Sequence, residues 1–215
     1  MPSVTRSPQA KRQERRQDME RRLLDATERL MRDGASFTEL SVDRLATAAG
    51  ISRATFYIYF EDKGHLLRCL AVQVFTDLAD DGERWWGVAG RHDPADVQAA
   101  MAGIVTSYRR HEPVLTALNE MAAYDPTTAA TYREILTAIS RRLTRVIVDG
   151  QADGLIRREL PADITASALT WMVERACQQN LPTHPNDADP EYDELLAATL
   201  AEIVWGALYL KPAHS

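Results

Sequence analysis

Along most of the chain, apolar residues recur every three or four positions and are interrupted by capping and helix-breaking residues, the pattern of successive amphipathic helices. Leu23, Ala26, Leu30 and Met31 follow it from about Glu20 and Gly34 ends it, which predicts a first helix over 20–33. Ser41 stands as an N-cap before Val42, Leu45, Ala46 and Ala49, so a short second helix falls at 42–48. Gly50 breaks the pattern and Ser52 caps a third helix, in which Phe56 and Phe60 lie four apart on one buried face. Asp62 caps a fourth, from Lys63 to about Asp80. Asp93 with Pro94, Pro113, Asp125 with Pro126, and Pro161 then open a fifth to an eighth helix, the seventh reaching about Ala152. Trp85 to His92 and Leu181 to Pro190 read as connections, and a ninth helix runs from about Glu191 to Leu210. No alternating strand pattern occurs, so the fold class is all-α.

Residues 1–19 lack this periodicity and are rich in Arg, Gln and Ser, which predicts a disordered basic arm. The composition is that of a globular protein, 45% apolar and 26% charged, with no apolar run long enough to span a bilayer. The basic start has no apolar core and is no secretory signal, so a cytoplasmic location is expected. The net charge of −6 is uneven: residues 1–68 hold 13 basic against 10 acidic side chains, while the rest are strongly acidic. A basic head on an acidic body points to a polyanion at the N-terminal end, where neutralised phosphates release counterions; a merely solvated basic tail is the plainer alternative. Cys69 and Cys177 match no zinc or disulfide spacing and read as reduced core residues.

The segment around Gly50 meets the needs of a helix-turn-helix. Ala46 and Ala49 are small where two helices cross, Gly50 permits the turn, and Leu45, Ile51 and Phe56 fill the space beneath. Stepping 100° per residue from Phe56 and Phe60 puts Ala54, Thr55, Tyr57 and Ile58 on the outer side of the third helix, with Arg53 at its flank. An apolar Ile58 there suits thymine methyl groups, while Arg53 or Thr55 reaches base edges. Tyr57, Tyr59 and Lys63 suit phosphates, aided by the N-terminus of the fourth helix.

From Ser41 to Lys63, ending in Phe56, Tyr57, Ile58, Tyr59, Phe60 and Lys63, the chain resembles the helix-turn-helix signature of TetR-family regulators. The resemblance implies a nine-helix homodimer with an N-terminal DNA-binding domain, 20–66 here, and a ligand-binding and dimerisation domain, 67–215. It implies DNA contacts from Ser41 and Arg44 on the second helix, from Arg53, Ala54, Thr55, Tyr57 and Tyr59 on the third, and from Lys63. Asp43 departs from it, standing where a base-reading cation can occur. Met172 to Arg175 and the tail from Trp205 to Tyr209 further resemble the ethionamide-resistance-regulator branch, in which an apolar channel runs between helices. Carried over, that channel is lined by Met101, Ile104, Tyr108, Leu136, Ile139, Leu143, Thr170 and Val173. Thr170 and Val173 stand where the branch has asparagine amides, so the identity of the ligand does not carry over.

The ninth helix is apolar on more than one side: Leu195, Leu196, Thr199, Leu200, Ile203, Val204, Ala207 and Leu208 form one stripe, with Trp205 and Tyr209 to another side. Such a helix needs two partners, its own domain and a symmetry mate, giving a dimer through helices eight and nine that reads a palindromic operator. A small apolar effector binding between helices five to eight then shifts the fourth helix and the reading heads, which makes repression with release the expected output. Two other classes compete. One is an enzyme, against which stand the scattered histidines and the absence of a catalytic motif, with Glu61, Asp62 and His65 reading as a helix cap rather than a metal site. The other is a small-molecule carrier of the same fold without specific DNA binding. No cofactor or metal is expected.

Overall fold

The computed structural model describes residues 8–86, 93–184 and 191–209. Among them are nine α-helices: α1 (Pro8–Arg32), α2 (Val42–Ala48), α3 (Arg53–Tyr59), α4 (Lys63–Trp86), α5 (Pro94–Arg110), α6 (Glu112–Ala122), α7 (Pro126–Ala152), α8 (Ala162–Asn180) and α9 (Tyr192–Leu208). A 3₁₀ turn, Leu181–Thr183, follows α8. The caps read from sequence close the helix starts: Ser41 accepts from the Arg44 amide, Ser52 from Thr55, Asp93 from Ala95, and Asp125 from Thr127 and Thr128. Each satisfies donors that the first turn of a helix leaves without a partner.

Two expectations are corrected. The first helix begins at Pro8, so residues 8–19 continue α1 rather than forming a disordered arm. The stretch is made of good helix formers, Met19 is buried, and Arg16 pairs with Glu20 one turn on at 2.9 Å. Helix propensity needs no apolar stripe, and periodicity alone missed it. Likewise α4 runs on through Trp85 and Trp86, past the expected stop at Asp80. The remainder of that expected connection, most of the loop before Pro190, and residues 1–7 and 210 lie outside the described residues.

Helix α4 is the axis of the molecule, packed against α1, α5, α6 and α7, while α9 lies on α5 and α8 on α7. One buried cluster runs without a break from Leu23, Phe37 and Phe56 at one end to Leu136, Leu200 and Leu208 at the other. The helix-turn-helix end and the rest of the described helices therefore share one core. Two polar ties reinforce the seams. Glu28 of α1 meets His111, at the α5–α6 junction, with Oε1 and Nδ1 2.6 Å apart and both side chains buried. Arg109 gathers both carboxylate oxygens of Asp193, one of Glu112, and the carbonyls of Leu181 and His184, fixing the end of α5 to the start of α9. Cys177 is a buried thiol whose pKa burial pushes up to about 12; Cys69 is only half-buried, beside Arg16.

The stripe expected on α9 divides between two faces. Ala197, Leu200, Ala201, Val204 and Leu208 are buried, whereas Leu195, Thr199 and Ile203 face solvent. Tyr209 is buried and stacks on Trp205, ring centroids 4.0 Å apart.

Candidate DNA interface and effector cavity

The helix-turn-helix is set by a small number of contacts. Phe56 and Phe60 are buried with centroids 5.3 Å apart, and Leu45, Ala46 and Ala49 close the crossing of α2 and α3. Gly50 turns the chain at φ +66°, a conformation costly for any residue with a Cβ. Arg22 of α1 donates to the carbonyls of Ala49 (2.7 Å) and Gly50 (3.0 Å), and Arg29 to that of Ala48 (2.9 Å). Arg22, counted in sequence only among the basic side chains of residues 1–68, is thus an internal staple on the turn. Nothing in the composition separates a stapling arginine from a free one.

On the outer face Ser41, Arg44, Arg53, Ala54, Tyr57 and Ile58 are exposed, Ile58 at 76% and Tyr57 at 47%. Thr55 and Tyr59 are half-buried, Tyr59 lying beside Arg15, Met19 and Arg22 of α1. Arg53 pairs with Asp43 at 2.6 Å and sits 5.6 Å from the centre of the Tyr57 ring; Asp43 is the first cause that raises the Arg53 pKa. Both partners are exposed, so the pair is screened and easily exchanged for a phosphate or a base edge. Asp43 thereby holds the Arg53 guanidinium on the exposed side of α3. Lys63 is differently engaged, donating to the carbonyls of Phe37 and Thr38 at 3.1 and 2.6 Å, while partial burial lowers its pKa. At the start of α4, the Asp62 carboxylate takes the His65 amide at 2.6 Å, offsetting the positive end that a phosphate would use.

All eight residues placed on a channel by the sequence line one cavity: Met101, Ile104 and Tyr108 from α5, Leu136, Ile139 and Leu143 from α7, and Thr170 and Val173 from α8. Phe75, Leu78 and Ala79 of α4 supply another wall, with Leu169, Glu174 and Val204. Helical spacing explains this convergence, since residues three and four apart share a face and three helices turn those faces together. The free volume is only ≈ 70 Å³, against roughly 300–1,000 Å³ for sites that hold drug-sized ligands. A ligand of that size enters only by moving the walls. Glu174 was missed as a lining residue; its signal is a carboxylate four positions after Thr170 and three before Cys177, on the inward face of α8. Thr170 is not a free anchor, because its hydroxyl donates to the Ala166 carbonyl at 2.8 Å.

A helix-turn-helix with an exposed reading face, joined through α4 to an apolar cavity, defines a ligand-responsive DNA-binding regulator of transcription. Residues 23–70 match the model for bacterial regulatory proteins of the tetR family. The HTH-type transcriptional regulator EthR of Mycolicibacterium smegmatis is 30% identical over 213 residues, covering 96% of this chain and 94% of that protein. The chain belongs to the TetR family, in the branch that contains EthR. Its fold is also that of the fatty acid degradation regulator FadR from Bacillus halodurans, at 15% identity and TM-score 0.70 over 87% of this chain and 95% of that one. FadR from Bacillus subtilis, solved in complex with stearoyl-CoA, matches at 15% identity and TM-score 0.69 over 87% and 98%. Among the described residues no helix is long and apolar enough to cross a membrane, and no cluster of His, Cys, Asp and Glu is arranged to hold a metal ion.

Proposed function

We propose that the protein is a cytoplasmic homodimeric repressor that holds a palindromic operator and releases it when a small, largely apolar effector enters the cavity between α4, α5, α7 and α8. One observation carries this reading: α4 begins at the helix-turn-helix, tied by Lys63 to the loop before α2, and continues as a wall of the cavity through Phe75, Leu78 and Ala79. Opening a space of ≈ 70 Å³ for a ligand displaces that wall. The displacement favours release only insofar as the ligand binds the DNA-incompetent arrangement more tightly. In the operator complex Arg53 leaves Asp43 for DNA, Tyr57 and Ser41 contact the backbone, Ala54 and Ile58 face base edges, and Arg44, Thr55, Tyr59 and Lys63 supply flanking contacts.

The test is binding to the DNA upstream of the protein's own gene, titrated against salt. Arg53→Ala and Tyr57→Ala are each expected to weaken specific binding about tenfold, the cost of roughly one good base or phosphate contact. Arg53→Ala should also flatten the salt slope by about one counterion if its partner is a phosphate. Binding by the parent no tighter to that DNA than to random sequence, and unaltered in both variants, would leave the carrier reading in its place.

The outward faces of α8 and α9 support the dimer. Ile164, Ala168 and Trp171 on α8 and Leu195, Thr199 and Ile203 on α9 are exposed at spacings of three and four, so each helix carries an apolar stripe turned away from its own core. Two such pairs from symmetry-related copies make a four-helix interface. Leu195→Glu combined with Ile203→Glu is expected to give a folded monomer in sedimentation analysis, with operator affinity lost because the two heads are no longer linked. A dimer that persists in this variant places the interface elsewhere.

A further inference from the structure

The cavity lining is apolar except for Thr170, Tyr108 and Glu174, and two buried oxygens of the last two lack hydrogen-bond partners: the hydroxyl of Tyr108 and Oε2 of Glu174, whose carboxylate is close enough to help raise the Tyr108 pKa. Both residues line the cavity and both are more than nine-tenths buried. The other carboxylate oxygen of Glu174 is occupied, since the Tyr132 hydroxyl donates to Oε1. The nearest cation to Oε2 is Arg175, at 3.9 Å and half-exposed, too long for a hydrogen bond. Burying a carboxylate with one oxygen unsatisfied is costly, and a site that tolerates the cost is one in which something else completes it. Resting on the reading of this cavity as the effector site, we propose that Glu174 and Tyr108 form a polar subsite for the protonated amine of an otherwise apolar effector.

The chemistry of the two groups selects that head. An ionised carboxylate only accepts, and a tyrosine hydroxyl accepts as well as donates, so a ligand with several N–H donors serves both oxygens at once. An ammonium also brings a counter-charge within hydrogen-bonding distance of Oε2, which Arg175 at 3.9 Å does not. Burial raises the Glu174 pKa and the Tyr132 hydroxyl and Arg175 offset this only in part, so a cation bound at Oε2 would tip the group toward its ionised form. A carboxylate ligand would meet a like charge there. The rest of the ligand is chosen by the apolar walls: Met101, Ile104, Leu136, Ile139 and Leu143 offer no hydrogen-bond donor and no acceptor beyond the weak thioether of Met101.

The proposal is tested on the full-length protein by calorimetric titration with three probes that differ only in the head group: hexylamine, hexanol and hexanoate. Hexylamine is expected to bind about tenfold more tightly than hexanol, the scale of one charge-assisted hydrogen bond, with hexanoate weakest. Glu174→Gln keeps an acceptor for Tyr132 and is expected to erase the preference for hexylamine over hexanol. Ile104→Trp, which fills the cavity, is expected to abolish binding of all three. Equal binding of the three probes to the parent, abolished by Ile104→Trp, would overturn the amine subsite and leave the effector cavity standing. No binding of any probe to the parent, or binding that survives Ile104→Trp, would overturn both. Should Glu174→Gln fail to fold, the order of the three probes on the parent decides by itself.

Discussion

Glu28→Ala is expected to unfold about 2 kcal/mol more easily than the parent, the scale of leaving a buried polar group without its hydrogen-bond partner. Glu28 is buried on α1, 2.6 Å from Nδ1 of His111 and 3.1 Å from Arg32. Without it His111 stays buried with Nε2 already lacking a hydrogen bond and with Asp77 only at 3.9 Å. Glu28 was not among the residues expected to matter, because an i,i+4 partner at Arg32 makes it look like an ordinary surface pair in sequence. Urea unfolding measures the loss, and a double-mutant cycle with His111→Gln assigns it to the pair. A loss below about 0.5 kcal/mol, the range of ordinary surface substitutions, would mean that water reaches the carboxylate and that the pair does not bind the domains together. His111 follows Tyr108 by three residues and so closes α5 just beyond its cavity-lining face.

What the sequence made legible was local. Ser41, Ser52, Asp93 and Asp125 cap helices because one side-chain oxygen and one backbone amide a few residues on decide the matter. The outward set on α3 followed from 100° steps away from Phe56 and Phe60. The channel residues came from resemblance rather than pattern, and the structure gathers all eight around one space. What escaped depends on partners far along the chain. Arg22 meets Gly50 twenty-eight residues on, Glu28 meets His111 after eighty-three, and Arg109 meets Asp193 after eighty-four. No local spacing encodes such pairs. The α9 stripe was misjudged for a related reason: its apolar residues span both faces, and only the placement of α5 shows that Leu200 and Val204 are inward while Leu195 and Ile203 are free. Residues 8–19 failed in the opposite sense, since their helix rests on propensity, the buried Met19 and ion pairing such as Arg16–Glu20 where the reading relied on hydrophobic period.

Ile104→Trp is expected to behave as a protein with its effector permanently bound, holding its operator about tenfold to a hundredfold less tightly with no ligand present and ignoring any ligand added. Ile104 projects from α5 into a space of ≈ 70 Å³ whose opposite walls are Phe75 and Leu78 of α4 and Leu136 and Ile139 of α7. An indole there overfills a packed interior, which relieves the strain by moving helices rather than compressing side chains. Helix α4 is the wall whose movement has consequences, because its first residue, Lys63, is tied to the carbonyls of Phe37 and Thr38 beside the reading head. Ile104→Ala is the control: it enlarges the space without pushing on α4, and is expected to keep operator affinity while losing stability by about 2–4 kcal/mol, as large-to-small core changes do. Operator binding measured side by side separates the outcomes. Parent-like affinity in Ile104→Trp would show that the cavity can be filled without moving α4, and effector control would then have to reach the reading heads by another route, of which the Glu28–His111 contact is the structural candidate. Equal weakening in both variants would show that the cavity governs DNA binding through stability alone, with no mechanical coupling along α4.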